Sequence, residues 1–195
     1  NVPGQLQASG DMMLGEFYTL YELTKPGGAA TRVAKKLGKT PREVSMMGIT
    51  QAHINNLKQT CLTVLDPMCR LWGKANISIG SAYRSQVVND NIAGAAAKSK
   101  HMDGLAIDCS VKGYNRPKQR GGAASLAQHY MDATTQGLGG SSTGAGDPAP
   151  PIDYEKIIYY YNEPGKGHIH VTAPSIGKRG SRGVRYHASS GPDLS

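Results

Sequence analysis

The chain has 195 residues, 38% of them apolar and 25 of them glycine, and carries a formal net charge of +8. That length suits one domain, and no apolar run approaches the ~18 residues that a bilayer-crossing helix needs. The basic excess suits polyanionic surroundings such as a bacterial envelope. It clusters only at Lys178, Arg179, Arg182 and Arg185, without the aromatic interleaving or zinc-finger spacing of a nucleic-acid binder, so no nucleic-acid partner is expected.

Residues 1–16 read as a flexible, Gly-containing arm with no apolar periodicity and no charged-then-apolar leader. Residues 17–23 follow as a short ordered segment with Thr19 as a candidate N-cap. A short basic helix is predicted over 29–37, and Thr40-Pro41-Arg42-Glu43 has the form of a helix start with proline in the first turn. The strongest helix is predicted over 50–71. Ile54, Leu57, Cys61, Val64, Leu65, Met68 and Leu71 recur near the 3.6 period, and Pro67 should kink or restart it.

Residues 76–80 alternate as a strand, 85–97 read as a second helical segment, and 105–111 as a strand with Asp108 near its middle. A helix is expected over 123–135, followed by a flexible Gly/Ser/Pro loop at 137–151. Residues 157–161 and 168–172 read as a hairpin turned by Asn162-Glu-Pro-Gly165; 183–187 adds a last strand before a disordered tail at 188–195. Helices first and a small, mostly antiparallel sheet afterwards make an α+β single domain over 17–187, with the sheet packed against helices. Cys61, Cys69 and Cys109 show no metal-ligand spacing. Cys61 and Cys69 lie about 12 Å apart along one helix, so free, mostly buried thiols are expected.

The chemistry concentrates in Ser99-Lys-His101-Met-Asp-Gly104-Leu-Ala106-Ile-Asp108 and, far downstream, Gly167-His168-Ile169-His170-Val171. On a strand, residues i and i+2 share a face. His168 and His170 therefore point one way, opposite to Ile169 and Val171, and Asp108 points opposite to Ile107 and Cys109. One polar sheet face can gather His101, Asp108 and His170. Two imidazoles and a carboxylate form an open ligand set for catalytic Zn²⁺, the fourth position being left to water.

Ser81-Ala-Tyr83-Arg84-Ser85, then Asn89, Gly94 and the His101–Asp108 motif, resemble the zinc D-alanyl-D-alanine carboxypeptidase family, which includes phage endolysin peptidases and is related in fold to the Hedgehog signalling domain. Its pattern S-G-Y-R-S, S-x-H-x-x-G-x-A-x-D and W-[IV]-H-[VI]-S is met with Ala82 for Gly, His168 for Trp and Thr172 for the last Ser. Phe17-Tyr-Thr-Leu-Tyr-Glu-Leu-Thr24 and Leu65-Asp-Pro-Met68 resemble the phage and bacterial subgroup. The resemblance implies zinc ligands at His101, Asp108 and His170. It also implies an Arg84 that grips the substrate's C-terminal carboxylate, a Ser99 near the substrate backbone, and a Gly104 that lets the chain pass close to the metal.

The implied activity is D,D-carboxypeptidase or endopeptidase action on peptidoglycan stem peptides at the bacterial cell wall, by a chain either exported or carried with other virion proteins. The departure is the general base. Where relatives carry Glu, Ile157-Ile-Tyr-Tyr160 places a tyrosine, leaving Glu163 or His168 as the candidate proton carrier and Glu155 as a solvated strand-end charge. Two alternatives retain the fold without turnover: a catalytically impaired virion or envelope structural protein, and a peptidoglycan-binding module that does not cleave.

Overall fold

The computed structural model describes residues 12–112, 154–161, 168–178 and 183–188. Three helix starts follow from their caps. Thr19 opens α1 (Leu20–Leu23) and Thr40 opens α3 (Pro41–Ser45), each in a capping box with a glutamate three residues on. Thr50 opens α4 (Gln51–Thr60) in the same way, but His53 takes the glutamate's place: Thr50 N–H donates to His53 Nδ1 at 3.1 Å. Between them α2 (Gly28–Leu37) ends on Gly38 in the left-handed region, as helix C-termini commonly do.

The long apolar segment after Thr50 is not one uniform helix. A π-helical segment (Cys61–Leu65) separates α4 from α5 (Asp66–Trp72), and Pro67 sits in the first turn of α5. Proline has no N–H for the carbonyl four residues back and its ring crowds that turn, so the helix widens and restarts there. The apolar stripe stays in phase through the change: Ile54, Leu57, Cys61, Val64, Leu65 and Met68 are all fully buried.

β1 (Ile77–Ser81), α6 (Gln86–Asn89), β2 (Ala106–Val111), β3 (Lys156–Tyr161), β4 (Ile169–Thr172) and β5 (Gly183–Ala188) complete the described elements. The sheet order is β1-β2-β4-β3-β5. Its first three pairings are antiparallel and only β3 with β5 is parallel, so the fold is the α+β arrangement expected. Ile107, Cys109, Val111, Ile157, Ile169 and Val171 turn one face of the sheet into the core against α1, α4 and α5. A second cluster, Ala30, Val33, Ala34, Val44 and Val88, ties α2, α3 and α6 together. Each large side chain so buried contributes roughly 1.5–3 kcal/mol. The three cysteines are buried and free, and no helix among the described residues is long and apolar enough to cross a membrane.

Other segments differ from the sequence expectation. The helical reading of 85–97 shortens to α6, because turns at Gly94 and around it close the segment. Residues 12–16 are packed: Leu14 is buried, Glu16 N–H donates to buried Asp66 Oδ2 at 2.9 Å, and the Glu16 carboxylate pairs with Arg70. The helix expected at 123–135, the loop at 137–151, the hairpin turn at 162–165 and the tail from 189 onward lie outside the described residues.

Gly104 is where the site loop meets the helices. Its φ is +75°, and a Cβ there would lie 3.0 Å from His53 O and 3.1 Å from Leu57 Cγ on α4. The glycine thus allows close approach to α4, a structural demand distinct from the closeness to a metal that the resemblance implied. Gly104→Ala should destabilise the fold by about 1–3 kcal/mol through strain and contact together. Gly38→Ala, also left-handed but facing open space, should cost about 1 kcal/mol. Urea unfolding midpoints measure both; equal losses would contradict the packing role.

Candidate metal centre

The register of three strands builds the site. Asp108 on β2 lies directly opposite His170 on β4 and, on its other side, opposite Ser81 on β1. The second pairing depends on a bulge. Ile79 pairs with Cys109 and Ser81 with Asp108, so Gly80 is the extra residue. Without it Ser81 would share the core-facing side of Ile79. With it, Ser81 joins the polar face, and the chain leaves the sheet toward Ala82 and Arg84.

His101 arrives from the turn 99–104, which closes through Met102 N–H to Ser99 O (3.0 Å), Gly104 N–H to His101 O (3.2 Å) and Leu105 N–H to Lys100 O (3.0 Å). Its ring is buried, and Nδ1 lies 2.8 Å from Ala82 O. A carbonyl only accepts, so Nδ1 holds the proton and Nε2 faces Asp108 Oδ2, 3.2 Å away. His170 Nδ1 lies 2.8 Å from Asp108 Oδ1, while its Nε2 is 3.3 Å from Thr172 Oγ1. Each imidazole thus has an outer partner on its far nitrogen and aims its near nitrogen at one carboxylate, the arrangement that orients metal-ligating histidines. The two rings meet edge to face with centroids 4.9 Å apart.

One ligand atom from each of His101, Asp108 and His170 lies within 4.8 Å of the others, so the group can hold a metal ion. The donor chemistry fits: a bare Nε2 and a carboxylate oxygen at 3.2 Å repel unless a cation or proton lies between them. Burial alone would raise the Asp108 carboxyl, but hydrogen bonding and electrostatic attraction at the two facing imidazoles, which need a proton or a cation on the His101 side, outweigh it. They hold the group well below the usual carboxylate range.

Arg84 completes the polar face. Its backbone N–H donates to His101 O at 3.1 Å, and its guanidinium lies 4.0 Å from Asp108 Oδ2. NH1 donates to Asn89 Oδ1 at 3.3 Å and NH2 to Ser81 Oγ at 3.4 Å. Asn89 is itself buried and tied by Nδ2 to Ala96 O. Ser85 starts α6 with its hydroxyl donating to Val44 O at 2.7 Å. Ser99 Oγ accepts from His101 N–H at 3.4 Å, leaving its O–H proton to donate elsewhere.

Of the predicted site residues, the structure brings His101, Asp108, His170, Arg84 and Ser99 together. His168 is half-buried beside Asp108 along the same face, whereas Glu163 lies outside the described residues. Tyr160 is in β3 and pairs in register with His187; Glu155 is at the other end of that strand, its N–H donating to Thr172 O. Sequence reasoning missed the outer partners Ala82 and Thr172 and the anchoring by Asn89. Thr172 was within reach, since it stands two residues after His170 and so on its strand face. The Ala82 carbonyl carries no side-chain signal.

No curated protein and no solved structure matches the chain. A family model described as Peptidase M15 matches residues 36–140, a span running from the end of α2 through Arg84, His101 and Asp108. That match covers more than half of the chain, and its members are zinc-dependent peptidases, consistent with the donor set just described. The chain belongs to the Peptidase M15 family.

Proposed function

We propose that this M15 chain is a zinc-dependent peptidase of peptidoglycan stem peptides, acting as a D,D-carboxypeptidase or endopeptidase at the bacterial cell wall. The observation that carries this reading is the guanidinium of Arg84, held 4.0 Å from Asp108 beside the His101–Asp108–His170 group. A planar guanidinium takes a terminal carboxylate through two charge-assisted hydrogen bonds and sets the adjacent peptide bond over the ligand atoms. His101, Asp108 and His170 would hold the zinc, which when bound supplies Lewis acidity at the scissile carbonyl.

The remaining work belongs to side chains. Asn89 and Ser81 fix the plane of Arg84. Ser99, at the lip of the His101 turn, donates its O–H to the substrate backbone. Glu163 takes a proton from the attacking water and returns it to the leaving amine. The net charge of +8 draws the chain to an anionic envelope. A second reading retains the fold for binding alone, as a virion component or a non-cleaving module; Tyr160 in β3, where relatives carry glutamate, favours it.

Purified protein should contain about one zinc per chain, measured by elemental analysis, and stripping it with a chelator should lower thermal stability. Zinc restored to 1,000 times its Kd returns about 4 kcal/mol. A metal-free protein whose melting zinc does not change would refute the zinc reading.

Release of D-alanine from a pentapeptide stem tests turnover. Glu163→Ala should lower kcat by about 10²–10⁴-fold with zinc content unchanged. Arg84→Ala should mainly raise KM, by about 10–100-fold, the loss expected when charge-assisted hydrogen bonds are removed. Stoichiometric zinc and tight peptide binding without any D-alanine release would establish the second reading instead.

A further inference from the structure

α1 and α3 each open with a threonine in a capping box that a glutamate closes three residues on. At the start of α4 the reciprocal partner is instead His53. Its Nδ1 accepts from Thr50 N–H at 3.1 Å, and its backbone N–H donates to Thr50 Oγ1 at 3.4 Å. A glutamate carboxylate goes on accepting down to its ordinary pKa of about 4.3, whereas an imidazole nitrogen accepts only while it is unprotonated. We infer that this box is a proton-operated clasp: neutral His53 holds the first turn of α4 against the loop that carries His101, and protonation of His53 releases it.

Protonation reverses the polarity of the box. Nδ1–H cannot accept from Thr50 N–H, so two donors face each other across 3.1 Å. Thr50 Oγ1, 3.2 Å from the same nitrogen, can take the new proton, which leaves Thr50 N–H as the group without its acceptor. The imidazolium also meets the positive end of the α4 backbone dipole.

The surroundings act in the same direction. Desolvation by burial lowers the His53 pKa from its ordinary 6.5, and the negative charge of Asp103 opposes that without cancelling it. Asp103 also faces Lys100, whose Nζ lies 3.9 Å from its Oδ2. From the loop after β1 the Tyr83 ring packs on the imidazole, with centroids 5.3 Å apart and planes tilted by 46°. Burial pushes the Tyr83 phenol up to about 12, so it stays neutral while His53 titrates. A histidine whose folded pKa is lowered contributes its full stability above the unfolded value of about 6.5. That contribution is lost as pH falls below it.

The clasp acts on the backing of the metal centre. His53 O would lie 3.0 Å from a Cβ placed on Gly104, so the first turn of α4 runs close under the turn 99–104. Asn56, one turn farther along α4, donates to Asp103 O at 2.8 Å. Tyr83 stands between Ala82, whose carbonyl receives His101 Nδ1–H, and Arg84, whose N–H donates to His101 O. Both backbone segments that hold His101 therefore border His53.

NMR titration and amide hydrogen exchange of the full chain test the clasp. The His53 ring should titrate below 6.5, and the Thr50 amide shift should follow with the same midpoint. The Gly104 and Leu105 amides donate to His101 O and Lys100 O. Between about pH 7.5 and pH 5 their protection, corrected for intrinsic rates, should fall by about 2- to 30-fold, the factor carried by one N-cap bond. In His53→Gln a neutral amide oxygen takes the place of Nδ1 in the box, and protection should fall by that factor less. Every other titrating group is common to the two chains, so the difference isolates His53. Equal losses of protection in both chains overturn the clasp, as does a Thr50 amide that does not follow the His53 midpoint. The Thr50 titration needs only the unsubstituted chain and decides the proposal if His53→Gln does not fold.

Discussion

The charge on Asp108 is the constraint around which the structure is organised. A mostly buried carboxylate loses its water, and in a low-dielectric setting that loss is several kcal/mol unless ionic or hydrogen-bonding partners replace it. Here His170 Nδ1, His101 Nε2 across a proton or a cation and, farther out, the Arg84 guanidinium surround it. Each comes from a different part of the chain: the 99–104 turn, β4, and the segment between β1 and α6. The carboxylate thus closes long loops of sequence onto one point.

Convergence of that kind needs rigid backing, and the backing is mostly backbone. The Ala82 carbonyl sets His101, which in turn accepts from Arg84 N–H through its own carbonyl. The turn carrying His101 rests on α4 through Gly104, whose carbonyl accepts from buried Thr60 Oγ1 at 2.9 Å, while Asn56 donates to Asp103 O. The capped start at Thr50 and the restart at Pro67 keep α4 and α5 in phase against the sheet. A change in helix phase would move the surface on which Gly104 sits, and with it His101.

What was legible in the sequence was local. Alternation placed Asp108 opposite to Ile107 and Cys109, and His170 opposite to Ile169 and Val171; burial follows that alternation over 107–111 and 169–171, whereas Ala106 and Thr172 are buried as well. Thr19 and the Thr40-Pro41 start were readable because capping is decided within four residues. The bulge at Gly80 left a faint trace, a glycine inside an alternating strand. The parallel pairing of β5, the packing of Glu16 on Asp66, and the Ala82 anchor left none. They are fixed by partners distant in sequence, and a carbonyl acceptor has no residue-type signature. Gly104 shows the same divide, since its place in the motif was plain but the neighbour it accommodates was α4.

The electrostatics of Arg84 bear on how the proposed site would engage a carboxylate. Its contact with Asp108 Oδ2 is at the 4.0 Å limit of an ion pair, and its bonds to Asn89 and Ser81, at 3.3 and 3.4 Å, are long for N–H···O. Those neutral contacts help to define the plane of the guanidinium. In the proposed function an incoming carboxylate would form shorter, charge-assisted bonds, while Asn89 stays tied to Ala96 and Ser81 keeps its place opposite Asp108. Asp108 would repel that carboxylate at any other angle of approach. In the proposed function an anion approaches on the side shielded by Arg84, so the same pair that steadies the centre would also set which end of a peptide enters first.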